Sequence, residues 1–153
     1  MELLQNFWFI QGIGAVALIF VILAWNAKTR RNILLLQTIN LSFFIVHYFL
    51  LGALAGAASS GICIARNFVF IQNHKKWAEH RLWFYFFLAL SVAVVIVFWK
   101  GLITILPVAG VILGMHAIAQ ADPAKIRFWM LIACVIWLPY TIVVQSYSGL
   151  ISN

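Results

Sequence analysis

Carboxylates are nearly missing from this chain: 153 residues hold only Glu2, Glu79 and Asp122. None of the three lies in a long apolar run. Carriers driven by protons or sodium ordinarily keep a carboxylate within the membrane, so an ion-coupled pump is disfavoured and a facilitator is not. No Ser-His-Asp set, carboxylate pair or Cys/His cluster can be assembled at one depth. A phosphate-binding glycine loop is absent as well. No enzymatic activity, cofactor or metal is therefore expected. His74 and His80 are six residues apart, which is not a metal-ligand spacing. Cysteine is scarce, and Cys63 and Cys134 both fall in apolar runs, where thiols ordinarily serve as small packing groups. Charged residues of both signs make up only 8% of the chain, against about 25% in a soluble domain.

What is present is apolar: 65% of the residues are hydrophobic. A membrane span needs roughly 20 such residues, and six spans use about 120. The fold class expected is an all-α, polytopic transmembrane helix bundle of about six spans, at 7–25, 33–51, 53–72, 83–99, 102–120 and 128–147. Only short loops remain, so residues 1–153 form a single transmembrane domain. Glu2 and no positive charge precede the first run, and no small-x-small site follows it. It is expected to be a retained span and not a cleaved signal.

The net charge of +7 is distributed by side. Lys28, Arg30 and Arg31 fill one loop, Lys75, Lys76 and Arg81 another, and Lys125 and Arg127 a third. These loops alternate with turns that hold only Lys100. Such a bias puts the basic loops in the cytoplasm and both termini outside. The charge thus reflects topology, and no nucleic-acid partner is implied. Arg66, near the loop end of the third span, is expected to snorkel to the headgroups. Trp8, Trp25, Trp77, Trp83, Trp99 and Trp129 lie near span ends as an aromatic belt.

Polar residues inside the spans form a pattern. Gln37, Asn40 and His47 share one face of the second span, and Ser60, Cys63 and Asn67 share one face of the third. A tight turn joins the two spans, so the faces can meet. The solute pathway proposed by this stripe is Gln37, Asn40, His47, Ser60 and Asn67, with Gln11 and Gln145 beside it. Interhelical hydrogen bonding, contributing about 0.6 kcal/mol per bond, is the alternative use of each residue. Gly52, Gly56 and Ser60 recur every four residues, and Gly110 and Gly114 repeat the spacing, which predicts close helix packing. Pro107 and Pro139 can kink their spans, as hinges or as static bends.

A weak internal repeat aligns residues 44–57 with 136–149 at an offset of 92, matching Tyr48 to Tyr140. Span one then overlies span five and span two overlies span six, in the same orientation. Parallel repeats of this kind occur in transporters. Span four becomes a linker, and the second unit lacks its third helix.

The segments QGIG at 11–14, HYFLLGALAGA at 47–57, ARN at 65–67 and LPVAG at 106–110 resemble the YgjV family of bacterial inner-membrane proteins, along most of the chain. That family is in turn similar to PQ-loop and SWEET-type carriers, in which two three-helix bundles flank a linker helix. The resemblance implies a further helix where the chain ends, either lost or supplied by a partner. It also implies a solute-holding asparagine in the third helix of each bundle. Asn67 fits the first of these and nothing fits the second. A facilitative transporter of an unidentified small solute is the leading expectation. The alternative is a non-transporting protein that packs against itself or a membrane partner in the lipid bilayer.

Overall fold

The computed structural model describes residues 7–72, 74–78, 80–120 and 122–152; Glu2 and Glu79 lie outside them. The chain folds into helices α1 (Phe7–Asn26), α2 (Arg30–Leu50), α3 (Leu54–Ile71) and α4 (Leu82–Val97). A 3-10 turn, Leu102–Thr104, then leads into α5 (Ile105–Ala119), followed by α6 (Pro123–Val143) and α7 (Tyr147–Ser152). No strand occurs among the described residues. α1, α2, α3, α6 and the segment Leu102–Ala119 are long and apolar enough to cross a membrane. α4 is apolar throughout but has 16 residues, about 24 Å of helix, and is the short sixth span.

Polarity is inverted relative to a soluble protein. Ile22, Ile96 and Val97 are more than 60% exposed, while His47 and Asn67 are wholly buried. Lipid is the medium that accepts the first group, and only the bundle interior accepts the second.

α2 and α6 begin earlier than the apolar runs predict, at residues 30 and 123 instead of 33 and 128. The Thr29 side chain accepts from the Asn32 N–H at 3.3 Å. Asp122 Oδ1 accepts from the Ala124 N–H at 2.9 Å, with Pro123 as the first helical residue. These N-caps start the helices inside the basic segments. At the other end α6 stops at Val143, not near 147, because residues 144–146 turn the chain into α7.

The basic end is closed by arginines that satisfy helix C-termini. Arg30 Nε and Nη2 donate to the Ile118 carbonyl at 3.2 and 2.9 Å, and Nη1 donates to Phe70 O at 3.0 Å. Arg127 Nη2 donates to Ala27 O at 2.6 Å. The final carbonyls of a helix have no partner of their own, and a cation there also meets the negative end of the helix dipole.

The internal repeat is present, in a register of 93 residues and not 92. Its caps are Thr29 and Asp122, and α2 and α6 each have 21 residues. α1 ends at Asn26 and α5 at Ala119. In the first turn, Leu51, Gly52 and Ala53 donate to the carbonyls of His47, Phe49 and Tyr48. In the second, Val144, Gln145 and Ser146 donate to those of Tyr140, Ile142 and Thr141. The apices match too: Gly52 has φ +70° and Gln145 φ +54°. Matching tyrosine to tyrosine cost one residue of register, since the backbone pairs Tyr140 with His47. α7 thus stands where α3 begins, so the second unit does have the start of a third helix. α4 packs on α3 and α5, outside the repeat.

Gly52 belongs to this turn and not to a helix-packing face, since a Cβ there would meet nothing within 4 Å. Its left-handed backbone is the constraint, and Gly52→Ala is expected to destabilise the protein by about 1–2 kcal/mol. Gly12 has equally open surroundings without the unusual φ, so Gly12→Ala is expected to be neutral or stabilising by up to about 1 kcal/mol. Reversible unfolding of both variants in mixed micelles distinguishes conformation from packing.

Candidate functional site

A cavity of about 150 Å³ lies between α1–α3 on one side and α5–α6 on the other. It runs from Trp25 and Arg127 at the basic end to Tyr48 and Trp137 in the interior. Positions 93 residues apart line it from both halves: Gln37 and Met130, Asn40 and Ala133, Leu41 and Cys134, Phe44 and Trp137. Gln37 Nε2 contacts Met130 Sδ across the seam at 3.1 Å. α3 adds Ser60, Cys63 and Arg66, and α5 adds Gly110 and Gly114.

Aromatic rings close the inner end. Phe44 and Tyr48 stack at 5.5 Å between centroids, Tyr48 and Trp137 at 6.1 Å, and Trp137 meets Tyr140 edge-on at 5.7 Å. Beyond this layer a second hollow of about 480 Å³ is lined by Gly52, Lys100, Thr104, Tyr140 and Gln145. The rings therefore separate two hollows at opposite ends of the bundle.

The predicted helix-packing glycines work differently from the expectation. They admit side chains, not neighbouring backbones. A Cβ on Gly110 would collide with the Trp137 indole. One on Gly114 would lie 2.7 Å from Arg66 Nη1, and one on Gly56 2.9 Å from the Tyr140 hydroxyl. The Gly56 N–H donates to that hydroxyl at 2.8 Å. Gly56 is in the first turn of α3, whose cap residue Ala53 has no side-chain acceptor. Tyr140 supplies the missing cap from another helix. In the second half Ser146 Oγ accepts from the N–H of Gly149, the repeat partner of Gly56, at 3.1 Å.

Arg66 does not snorkel. It is 2% exposed, with Nη1 donating to Val111 O at 3.2 Å and Nη2 to Asn67 Oδ1 at 3.3 Å. The space left by Gly114 and the neutral acceptors on α5 and α3 draw it inward. Four buried polar atoms on the cavity residues have no partner: Arg66 Nε, Gln37 Oε1, Asn40 Oδ1 and, at the basic end, Arg127 Nε. Buried polar groups are ordinarily hydrogen-bonded, so these orphans make the cavity wall polar.

The stripe read from the sequence divides. Gln37, Asn40 and Ser60 line the cavity. Asn67 stands behind Arg66, wholly buried, with Nδ2 donating to Thr38 Oγ1 at 3.4 Å. His47 belongs to a separate clamp. Its Nδ1 donates to Ile10 O at 2.8 Å, which leaves Nε2 to accept from the Ser146 hydroxyl at 2.7 Å. Gln11 Nε2 donates to Gln145 O at 2.9 Å, and Gln11 Oε1 accepts from Ser148 N at 3.2 Å. These bonds fasten α7 to α1 and α2. Of the two prolines, Pro107 lies in the first turn of α5, where a missing N–H costs no helical bond. Only Pro139 interrupts a helix, between Trp137 and Tyr140. Tyr48 and Trp137 were not expected in the site, and Arg66, beside the polar stripe, was expected to turn away to the headgroups. The available signal was a full charge within a span, next to Asn67.

Tyr140→Phe keeps the ring contacts and removes the acceptor for the Gly56 N–H. The variant is expected to lose about 1–3 kcal/mol, the cost of an unsatisfied buried donor, as read by denaturant titration in mixed micelles.

Residues 8–153 match the family profile of Imp-YgjV, described as bacterial inner membrane protein. No curated protein and no solved structure matches the chain. With its apolar helices and the match over residues 8–153, the chain belongs to the Imp-YgjV family, and it is a multi-pass integral protein of the bacterial inner membrane.

Proposed function

We propose that this protein is a facilitative carrier for a small polar solute, and that the cavity at the seam is its binding site. The observation that carries the reading is the pairing of cavity positions across the repeat. Carriers built from repeats bind solute where the repeats meet, and they expose it by rocking one half against the other. Here Gln37, Asn40 and Phe44 face Met130, Ala133 and Trp137 across that boundary. The aromatic layer is the barrier to one side. Tyr48 comes from one half and Trp137 and Tyr140 from the other, so rocking parts them directly. Each aromatic pair contributes about 0.5–1.5 kcal/mol beyond area burial, a barrier that thermal motion can open.

The orientation that goes with this reading puts the basic loops in the cytoplasm and both termini outside. The cavity's basic end then faces the cytoplasm. Asp122 is the only carboxylate side chain among the described residues, and it caps α6. Transport is accordingly downhill, and no covalent chemistry is assigned.

Thiol labelling tests the reading. Cys63 and Cys134 line the cavity and are both free. In a Cys134→Ser variant, a small charged methanethiosulfonate reagent is expected to modify Cys63 from the cytoplasmic face of inside-out vesicles. Filling the cavity by Ala133→Trp is expected to abolish labelling while the fold persists. Cys63 that stays unlabelled from both faces in folded protein would sink the carrier reading. A stable stoichiometric partner on gentle extraction would then favour the non-transporting alternative.

A further inference from the structure

Among the described residues the charge of Arg66 has no counterpart. Asp122, the only carboxylate side chain among the described residues, is occupied at the basic end. The two groups that Arg66 does reach, Val111 O and Asn67 Oδ1, are neutral, and its contacts of 3.2 and 3.3 Å are long. Charge-assisted bonds of this type run at about 2.7–2.9 Å. A guanidinium has five N–H donors, and Nε has no partner here. An uncompensated charge at membrane depth is costly, and such groups typically mark solute or ion pathways.

We infer that Arg66 is the recognition group for a small monocarboxylate, which supplies the counter-charge missing among the described residues. This rests on the carrier reading and names the class of its solute. The planar guanidinium fork matches the two oxygens of a carboxylate. Arg127, the other cavity-lining guanidinium, stands at the basic end and donates to Ala27 O, so in the interior Arg66 meets the solute with one positive charge, which suits a carboxylate. The size agrees: a void of about 150 Å³ is one that accepts a benzene-sized molecule, so the acid has few carbons. Leu41, Phe44, Met130 and Ala133 supply an apolar wall for its chain. Gln37 Oε1 and Asn40 Oδ1, both unpartnered, are acceptors for a donor on the solute. A hydroxyl beside the carboxylate has one O–H to donate, so a short hydroxy acid can meet Arg66 Nε with its carboxylate and one of the two acceptors with its hydroxyl. Asn67 is a positioning residue, holding the guanidinium from behind through Oδ1.

The test is calorimetric binding to the full chain in lipid nanodiscs, with lactate, lactamide and inorganic phosphate as probes. Lactate and lactamide share shape and hydroxyl and differ in charge. Lactate is expected to bind saturably, and lactamide at least about tenfold more weakly. Arg66→Gln is expected to weaken lactate roughly 10- to 150-fold, with Arg66→Lys in between. Lactamide binding as tightly as lactate, or Arg66→Gln binding lactate unchanged, would overturn the assignment and leave a neutral-solute cavity, with Arg66 as a tie between α3 and α5. Phosphate binding in preference to lactate would overturn the carboxylate class. If none of the probes binds and Cys63 is also unlabelled, the cavity reading falls together with the inference; if Cys63 is labelled, only the inference falls. Should Arg66→Gln fail to fold, the comparison of lactate with lactamide on the wild type decides the matter.

Discussion

A helix end within a bilayer has no water to complete its hydrogen bonds, and that constraint organises this fold. Every turn between spans leaves backbone groups that need a partner from elsewhere in the chain. At the basic end Arg30 and Arg127 reach the last carbonyls of α3 and α5 and the Ala27 carbonyl just past α1. At the other end Tyr140 caps α3, Ser146 caps α7, and Gln11 and His47 hold the intervening turn. Most of these bonds join residues distant in sequence. The same side chains that satisfy the backbone therefore also fix how the helices stand to one another.

The constraint explains why the repeat is clearer in the backbone than in the side chains. The two helix-turn-helix units end their membrane crossings with the same hydrogen bonds and a left-handed apex residue. One apex is Gly52 and the other Gln145; one cap is a serine of the same unit and the other a tyrosine of a neighbouring helix. Different residues solve one geometric problem, so identity is lost while spacing is kept. The 92-residue alignment followed the tyrosines, and tyrosine is where the two solutions differ.

The helices and the approximate number of spans were legible because hydropathy and charge act locally. Their ends were less so: apolar runs begin after Arg30 and Arg31, whereas the cap at Thr29 starts the helix before them. The polar stripe was legible as a helical face but not as two separate devices. His47 lies seven residues beyond Asn40 on the same face, yet the turn into α7 brings Ser146 and Ser148 to it and encloses it. Arg66 was misread for a similar reason. Whether an arginine near a helix end extends outward or inward depends on what faces it. Here the Val111 carbonyl and the hole at Gly114 lie on α5, more than 40 residues away. No local pattern around Arg66 contains that information.

The glycines link this packing to the cavity. Gly110 receives the Trp137 indole, Gly114 the Arg66 guanidinium and Gly56 the Tyr140 hydroxyl. Each hole draws a bulky, polar-ended side chain against a helix it does not belong to, and two of these side chains line the cavity. The repeat then divides the work unevenly. At matched positions α2 presents Gln37 and Asn40, while α6 presents Met130 and Ala133. A symmetric backbone thus carries an asymmetric surface: at these positions α2 is polar and α6 apolar, with Arg127 of α6 at the basic end. On the carrier reading a bound solute is held by one half and covered by the other. On that reading, movement of α6 against α2 would uncover it without breaking the hydrogen bonds to the α2–α3 side. That is the arrangement a facilitator needs, because a solute gripped equally by both halves would resist the rocking that releases it.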